Sequence, residues 1–102
     1  MSLLAKYCPE ALTRFSEFGK TVMQDGVLPL KTKELIACSL SIASHCEPCL
    51  KHHLSAAVKA GVTEAEIAET LAVCVLLLGG PANVWTRKAI EETLADMQGA
   101  QL

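Results

Sequence analysis

Cys46 and Cys49 are separated by two residues, and His53 follows Cys49 by four. The full run is Ser44-His45-Cys46-Glu47-Pro48-Cys49-Leu50-Lys51-His52-His53. Two thiols this close can form a disulfide, and a neighbouring imidazole can accept or pass a proton near neutral pH. These are the parts of a dithiol redox centre. Zinc is the competing chemistry, with both thiolates and His53 or His52 as ligands. Structural zinc usually takes four ligands from paired motifs. No second Cys-x-x-Cys and no His-x-x-x-His occurs, and His45 is the only spare candidate. The third reading is a chance pair of inert buried thiols. An electropositive helix start favours the redox reading. Haem attachment requires His directly after the second cysteine, where this chain has Leu50.

The helix start follows from Pro48. Proline suits a first helical turn, because its missing N–H would have no partner there. No breaker follows Leu50 until Gly61. Cys46 then falls at or near the N-cap and Cys49 in the first turn, where free N–H groups and the positive end of the helix dipole favour a thiolate. Cys49 and His53 share a face, being four apart. His52 points about 100° away and should face solvent. His53 has a bland alternative as a satisfied, partly buried histidine. His45 precedes the helix and either raises thiolate content electrostatically or is a loop residue. Cys38 and Cys74 read as small core hydrophobes; Cys8 has no assignment.

Positioning these groups falls to helices. Strand alternation is rare, and Ala, Leu, Glu and Lys dominate, so the chain reads as an all-α domain of five to six helices spanning 1–102. The first is expected from Pro9 to Gln24, with Leu12, Phe15, Phe18, Val22 and Met23 as a core-facing stripe. The second runs from Lys31 or Thr32 to Ser44, apolar on more than one face and therefore expected to be buried. Glu34 lies in its first turn. The third, from Cys46 to Ala60, carries the dithiol and ends at Gly61 as a left-handed C′ residue. Thr63 and Glu66 form a capping box for the fourth, Glu64 to Leu78. Its apolar half, Leu71 to Leu78, belongs in the core or at a subunit interface. Gly79-Gly80-Pro81 stops it. The fifth runs from Ala82 to Met97 with Val84, Trp85, Ala89, Ile90 and Leu94 inward, and Gln98 to Leu102 reads as a frayed tail. The third and fourth should form an antiparallel hairpin.

Half of the 102 residues are hydrophobic (51%), and mean hydropathy is +0.34. A small soluble domain has a large surface-to-volume ratio, so this excess points to a covering partner chain. The longest apolar run, Leu71 to Leu78, falls far short of the roughly 20 residues that span a bilayer. No signal peptide is expected from Met1 to Tyr7. Net charge is −2 and aromatics are 4%, which disfavours nucleic acid as a partner. Five cysteines are an odd number, and with no export signal a disulfide framework is not expected. No phosphate-loop or Rossmann glycine pattern predicts a bound nucleotide, and Gly79-Gly80 serves as a helix stop.

The sequence resembles the carboxymuconolactone decarboxylase-like family, and within it the alkylhydroperoxidase D-like branch. The branch is marked by Glu, an eleven-residue gap, Cys-x-x-Cys, three residues, then His. Glu34, Cys46, Cys49 and His53 match each position. Ala56 to Ile67 also resembles the family's continuation, and the likeness covers about residues 9 to 97. The resemblance implies a helical fold that assembles as trimers or hexamers. It implies a thiol-dependent peroxidase or disulfide reductase, acting on a hydroperoxide with a thiol or dithiol reductant; with no export signal expected, the protein is placed in the cytoplasm, and no bound cofactor or metal is expected. Carried over, Cys49 attacks peroxide, Cys46 resolves the sulfenic acid, His53 relays the proton and Glu34 orients His53. That role requires the second and third helices to pack with Glu34 near His53. The chain departs at Pro48, where well-known members carry a second His. A decarboxylase or lyase using Glu34 and His53 as acid and base is the alternative on the same scaffold. A non-catalytic oligomer binding a metal or partner is the other.

Overall fold

The computed structural model describes residues 2–101, with side chains through Asp96. The described residues form six α-helices and no strand, the all-α class expected. They are α1 (Leu3–Tyr7), α2 (Pro9–Val22), α3 (Leu30–Ala43), α4 (Glu47–Lys59), α5 (Glu64–Leu78) and α6 (Pro81–Gln101). The chain divides into two compact units, residues 1–30 and 31–102.

In the first unit, α1 is a single short turn-and-a-half with no periodic stripe to announce it. Ser2 caps it, its hydroxyl oxygen accepting the Ala5 N–H at 3.1 Å. Pro9 opens α2, as its lack of an N–H allows. Beyond α2, the Asp25 carboxylate accepts the Leu30 N–H at 2.7 Å. The apolar stripe of α2 is not a core. Phe15 is 72% exposed, Phe18 and Val22 are also exposed, and Leu12 and Met23 are half-buried. Helical spacing places such residues on one face but does not state what covers that face.

The core of the second unit is built from four helices. Cys38 and Ile42 come from α3, Leu50, Leu54 and Ala57 from α4, Ile67 and Cys74 from α5, and Ala82 and Ala89 from α6, with Val62 between α4 and α5. The helices α4 and α5, expected as an antiparallel hairpin, both pack along α6. Buried Ala82, Thr86 and Ala89 keep that face of α6 low, so neighbouring backbones approach closely. Thr86 also satisfies its hydroxyl within α6, donating to the Ala82 carbonyl at 2.6 Å. Trp85, Ile90 and Leu94 pack at the edge of the core. Val84 does not, being 66% exposed; it is rotated about 100° from Trp85 and so leaves the buried face.

The helix α3, expected to be buried, is not buried all round, and the apolar half of α5, expected in the core or at a subunit interface, is not covered by its own chain. On α3 the buried residues are Glu34, Cys38, Ser41 and Ile42, while Ile36 and Leu40 are exposed. On the apolar half of α5 only Cys74 is buried, and Leu76 and Leu77 are 82% and 79% exposed. That half is therefore not core within the chain. Local signals fare better. The Thr63 hydroxyl accepts the Glu66 N–H at 3.2 Å and the Glu66 carboxylate accepts the Thr63 N–H at 2.9 Å, completing the capping box. This N–H bond, and then Lys31 at 2.9 Å, hold the Glu66 carboxyl below its usual range. Gly61 takes φ +96° and Gly79 φ +92°, as helix stops do. At the far end α6 continues through Gln101 instead of fraying after Met97; Leu102 lies outside the described residues. No helix among the described residues is long and apolar enough to cross a membrane.

Candidate active site

The site forms where α3 hands over to α4. Cys46 is the N-cap of α4, and Pro48 sits in its first turn. The Cys46 sulfur accepts the Cys49 N–H at 3.3 Å, a weak version of the usual N-cap bond. Cys46 and Cys49 are joined as a disulfide, with Cα atoms 5.3 Å apart. Cys46 is half-buried and Cys49 exposed, so a dissolved oxidant or thiol can reach the pair. The Cys49 N–H in the first turn of α4 points at the Cys46 sulfur, and the start of a helix favours negative charge on a released thiolate.

One turn along α4 lies His53. Its Nδ1 is 2.8 Å from Glu34 Oε2 on α3. A carboxylate oxygen only accepts, so Nδ1 donates to it, and in the neutral ring Nε2 then carries the lone pair that can take a proton. The Glu34 side chain is buried and that of His53 is partly exposed. No buried side-chain oxygen or nitrogen among the described residues lacks a partner, so the acid enters the core already bonded. The structure thus brings Glu34, from nineteen residues away, against the helix that carries the dithiol.

The other candidates separate. His52 is exposed and meets the His53 ring edge-on, with centroids 4.9 Å apart. Cys38 and Cys74 are buried free thiols and Cys8 is an exposed one. Burial, then the nearby negative charge of Glu34, then Cys74 push the Cys38 thiol up to about 12. It stays protonated in the range where a redox thiol would act. No three His, Cys, Asp or Glu side chains among the described residues gather as a metal site. A groove of about 460 Å³ along α4 and α6 is walled by Lys51, Lys59 and Glu92, but it includes none of the dithiol residues. Lys51 there is paired to Glu92 at 3.3 Å and Glu47 at 3.5 Å, which raise its pKa.

Sequence reasoning missed one member of this neighbourhood. Trp85 of α6 was expected simply as core. Its ring stacks on His45, with centroids 4.1 Å apart and planes 16° from parallel. No local pattern links residues forty positions apart, so only the tertiary structure reveals the pair.

An all-helical domain carrying a helix-start dithiol beside a His–Glu pair defines a class, and comparison with known proteins places the chain within it. The chain belongs to the carboxymuconolactone decarboxylase family, whose description matches residues 9–92. An uncharacterized protein of Cupriavidus necator is 37% identical over 82 residues, covering 80% of this chain and 73% of that protein. A family member from Legionella pneumophila, solved in its apo form, superposes with a TM-score of 0.81 at 37% identity, covering 90% of this chain and 82% of that one. A family member from Thermotoga maritima, for which a part in antioxidative response has been suggested, gives 0.77 at 29% identity, covering 88% and 95%.

Proposed function

We propose that the chain is a thiol-dependent peroxidase and disulfide oxidoreductase of the alkylhydroperoxidase D-like kind, working through Cys49 and Cys46. The observation that carries this reading is the dithiol at the start of α4 with an imidazole, itself bonded to a buried carboxylate, one turn behind it. Cys49 gives its proton to His53 and attacks an oxygen of the hydroperoxide. The O–O bond breaks, Cys49 becomes a sulfenic acid, and the departing alkoxide takes the proton from His53. The Cys46 thiol then attacks the sulfenic sulfur, forming the disulfide and releasing water. A thiol or dithiol donor returns two electrons and leaves as its own disulfide. Glu34 orients His53 and supports the imidazolium formed in between. Pro48, standing where well-known family members have His, removes one possible proton donor.

One equivalent of hydroperoxide should convert Cys46 and Cys49 of the reduced protein to the disulfide, read by mass spectrometry, while Cys38 and Cys74 stay reduced. Cys49→Ser should bring peroxide consumption down to background; an undiminished rate would overturn the proposal. The Glu34–His53 pair supports a second reading, a decarboxylase or lyase with these two as acid and base. Activity of that kind surviving in Cys46→Ser/Cys49→Ser would favour it.

The protein is further proposed to act in the cytoplasm as a trimer or hexamer. Exposed Phe15 and Phe18 on α2 and Leu76 and Leu77 on α5 are faces a second copy would cover. Light scattering showing a monomer at micromolar concentration would refute this.

A further inference from the structure

His45 is the one non-glycine residue with positive φ among the described residues, at +54°. It stands directly before Cys46. The hydrogen bonds around it form a six-residue helix stop. The His45 N–H donates to the Ile42 carbonyl at 3.1 Å, and the Cys46 N–H donates to the Ser41 carbonyl at 3.0 Å. This is the Schellman pattern, with His45 at the left-handed C′ position. The next helix stop has the same pattern: the Gly61 N–H bonds Val58 and the Val62 N–H bonds Ala57, each at 3.0 Å. Glycine fills the left-handed position there without steric conflict. A β-carbon at Gly61 would meet nothing within 4 Å, so the backbone angle and not space accounts for glycine. At the dithiol the same position holds an imidazole, and a residue in a disfavoured backbone region persists only where its surroundings hold it.

The ring beside it is Trp85. It stacks on the His45 ring, and both residues line an open cleft of about 160 Å³ with Ile42, Leu78, Pro81 and Ala82. The Gly79-Gly80-Pro81 stop sets where α6 begins, and Trp85 follows Pro81 by one turn. Cys46, next in the chain, is held on three sides. Its N–H binds the end of α3, its carbonyl accepts the Leu50 N–H at 3.0 Å, and its sulfur accepts the Cys49 N–H at 3.3 Å. We propose that the His45–Trp85 stack is a positioning device for Cys46: by fixing the left-handed turn it keeps the Cys46 thiol within bonding reach of Cys49 after the disulfide opens. His45 and Trp85 are thus positioning residues, and the proposal rests on Cys46 and Cys49 being the working dithiol.

The test is the thiol–disulfide equilibrium of the full chain in glutathione buffers, read by mass spectrometry. In this exchange the two thiols and one oxidised glutathione become the Cys46–Cys49 disulfide and two reduced glutathiones. Without the stack the two thiols meet less often, so the equilibrium constant for closure falls. His45→Gly, which permits the backbone angle and removes the ring, should lower it about three- to tenfold, or about 15 to 30 mV for this two-electron couple. Trp85→Ala should do the same, and Trp85→Phe, which keeps a ring, should restore it to within about twofold of the wild type. The double variant His45→Gly/Trp85→Ala should lose no more than either single one, because the pair acts as a unit. His45→Asn, which tolerates the left-handed region and lacks the ring, repeats the measurement should the glycine variant fold poorly. A wild-type constant in folded His45→Gly or His45→Asn overturns the proposal, as do fully additive losses. A wild-type protein that forms no disulfide in these buffers overturns the dithiol reading instead.

Discussion

Two pairs of cysteines share this small chain and have opposite surroundings. Cys46 and Cys49 lie at the open start of α4, bonded to each other and reached by solvent. Cys38 and Cys74 lie in the core as free thiols. The residue type is the same, so the difference teaches what makes a thiol reactive. At the helix start, the Cys49 N–H bonded to the Cys46 sulfur and the positive end of the dipole favour the thiolate. In the core, burial opposes it, and Glu34, one turn earlier on the same face of α3, adds a negative charge that opposes it further. The buried carboxylate that supports His53 on one side thus also quiets Cys38 on the other.

The contrast is largest in alkylation. The Cys38 thiol is pushed from 9.0 to about 12, which alone makes its thiolate roughly a thousandfold scarcer near neutral pH. Reduced protein treated with iodoacetamide at pH 8 should therefore be modified at Cys46 and Cys49 long before Cys38, as peptide mapping would show. Comparable labelling of Cys38 in folded protein would erase the distinction. Next in size is Cys38→Ser, which puts a hydroxyl where burial is nearly complete. The cost should be about 1 to 2 kcal/mol. Ser39 and Ser41 on the same helix show how it is contained, since each donates to the carbonyl four residues back. Denaturant midpoints would measure the loss, and an unchanged midpoint would mean that this part of the core is not tightly packed.

The alkaline limb sharpens the same point with a different observable. Between 9.0 and about 12 the unfolded chain gives up the Cys38 proton while the folded chain keeps it. The native state then binds more protons, so stability falls as pH rises through this window. The slope reaches at most about 1.4 kcal/mol per pH unit. The informative quantity is the difference between wild type and Cys38→Ala, in which the contributions common to both chains cancel. Wild type should lose stability faster above pH 9. Parallel curves would show that the core does not discriminate against this thiolate.

How much of this was legible in the sequence depends on the range of each signal. Pro48 in the first turn, the Thr63–Glu66 box, Gly61 as C′ and Gly79 as a stop are statements about neighbours within a few residues, and each is found in the structure. Apolar spacing located the stripes of α2 and α5 but not their fate. A stripe covered by its own chain and one left open have the same periodicity, which is why Phe15 and Leu77 were placed wrongly in the one case and left undecided in the other. The short α1 has too few residues for any period. Of the site, the Cys-x-x-Cys pair and His53 were visible as spacing, whereas Glu34 entered through the family resemblance. Its closeness to His53 is a matter of how α3 packs on α4. The left-handed angle of His45 was hidden altogether, because the residue most often used at such a position is glycine and the compensating ring lies forty residues away.

The smallest effect is also the one most specific to the contrast. Cys46→Ser should not destabilise the protein when both variant and wild type are kept reduced. The N-cap acceptor at Cys46 is a sulfur 3.3 Å from the Cys49 N–H, and sulfur is a weak acceptor. A serine oxygen in the same place is among the preferred N-caps, so α4 should gain about 0.5 kcal/mol. Identical chemistry, thiol to hydroxyl, then has opposite signs at Cys46 and Cys38, because one sulfur does the work of an oxygen at a helix end and the other does the work of a methyl group in a core. Thermal unfolding under a non-thiol reductant would resolve the two signs. A loss at Cys46 as large as that at Cys38 would mean that the start of α4 is packed like the core, and the reactivity assigned to that helix start would need another cause.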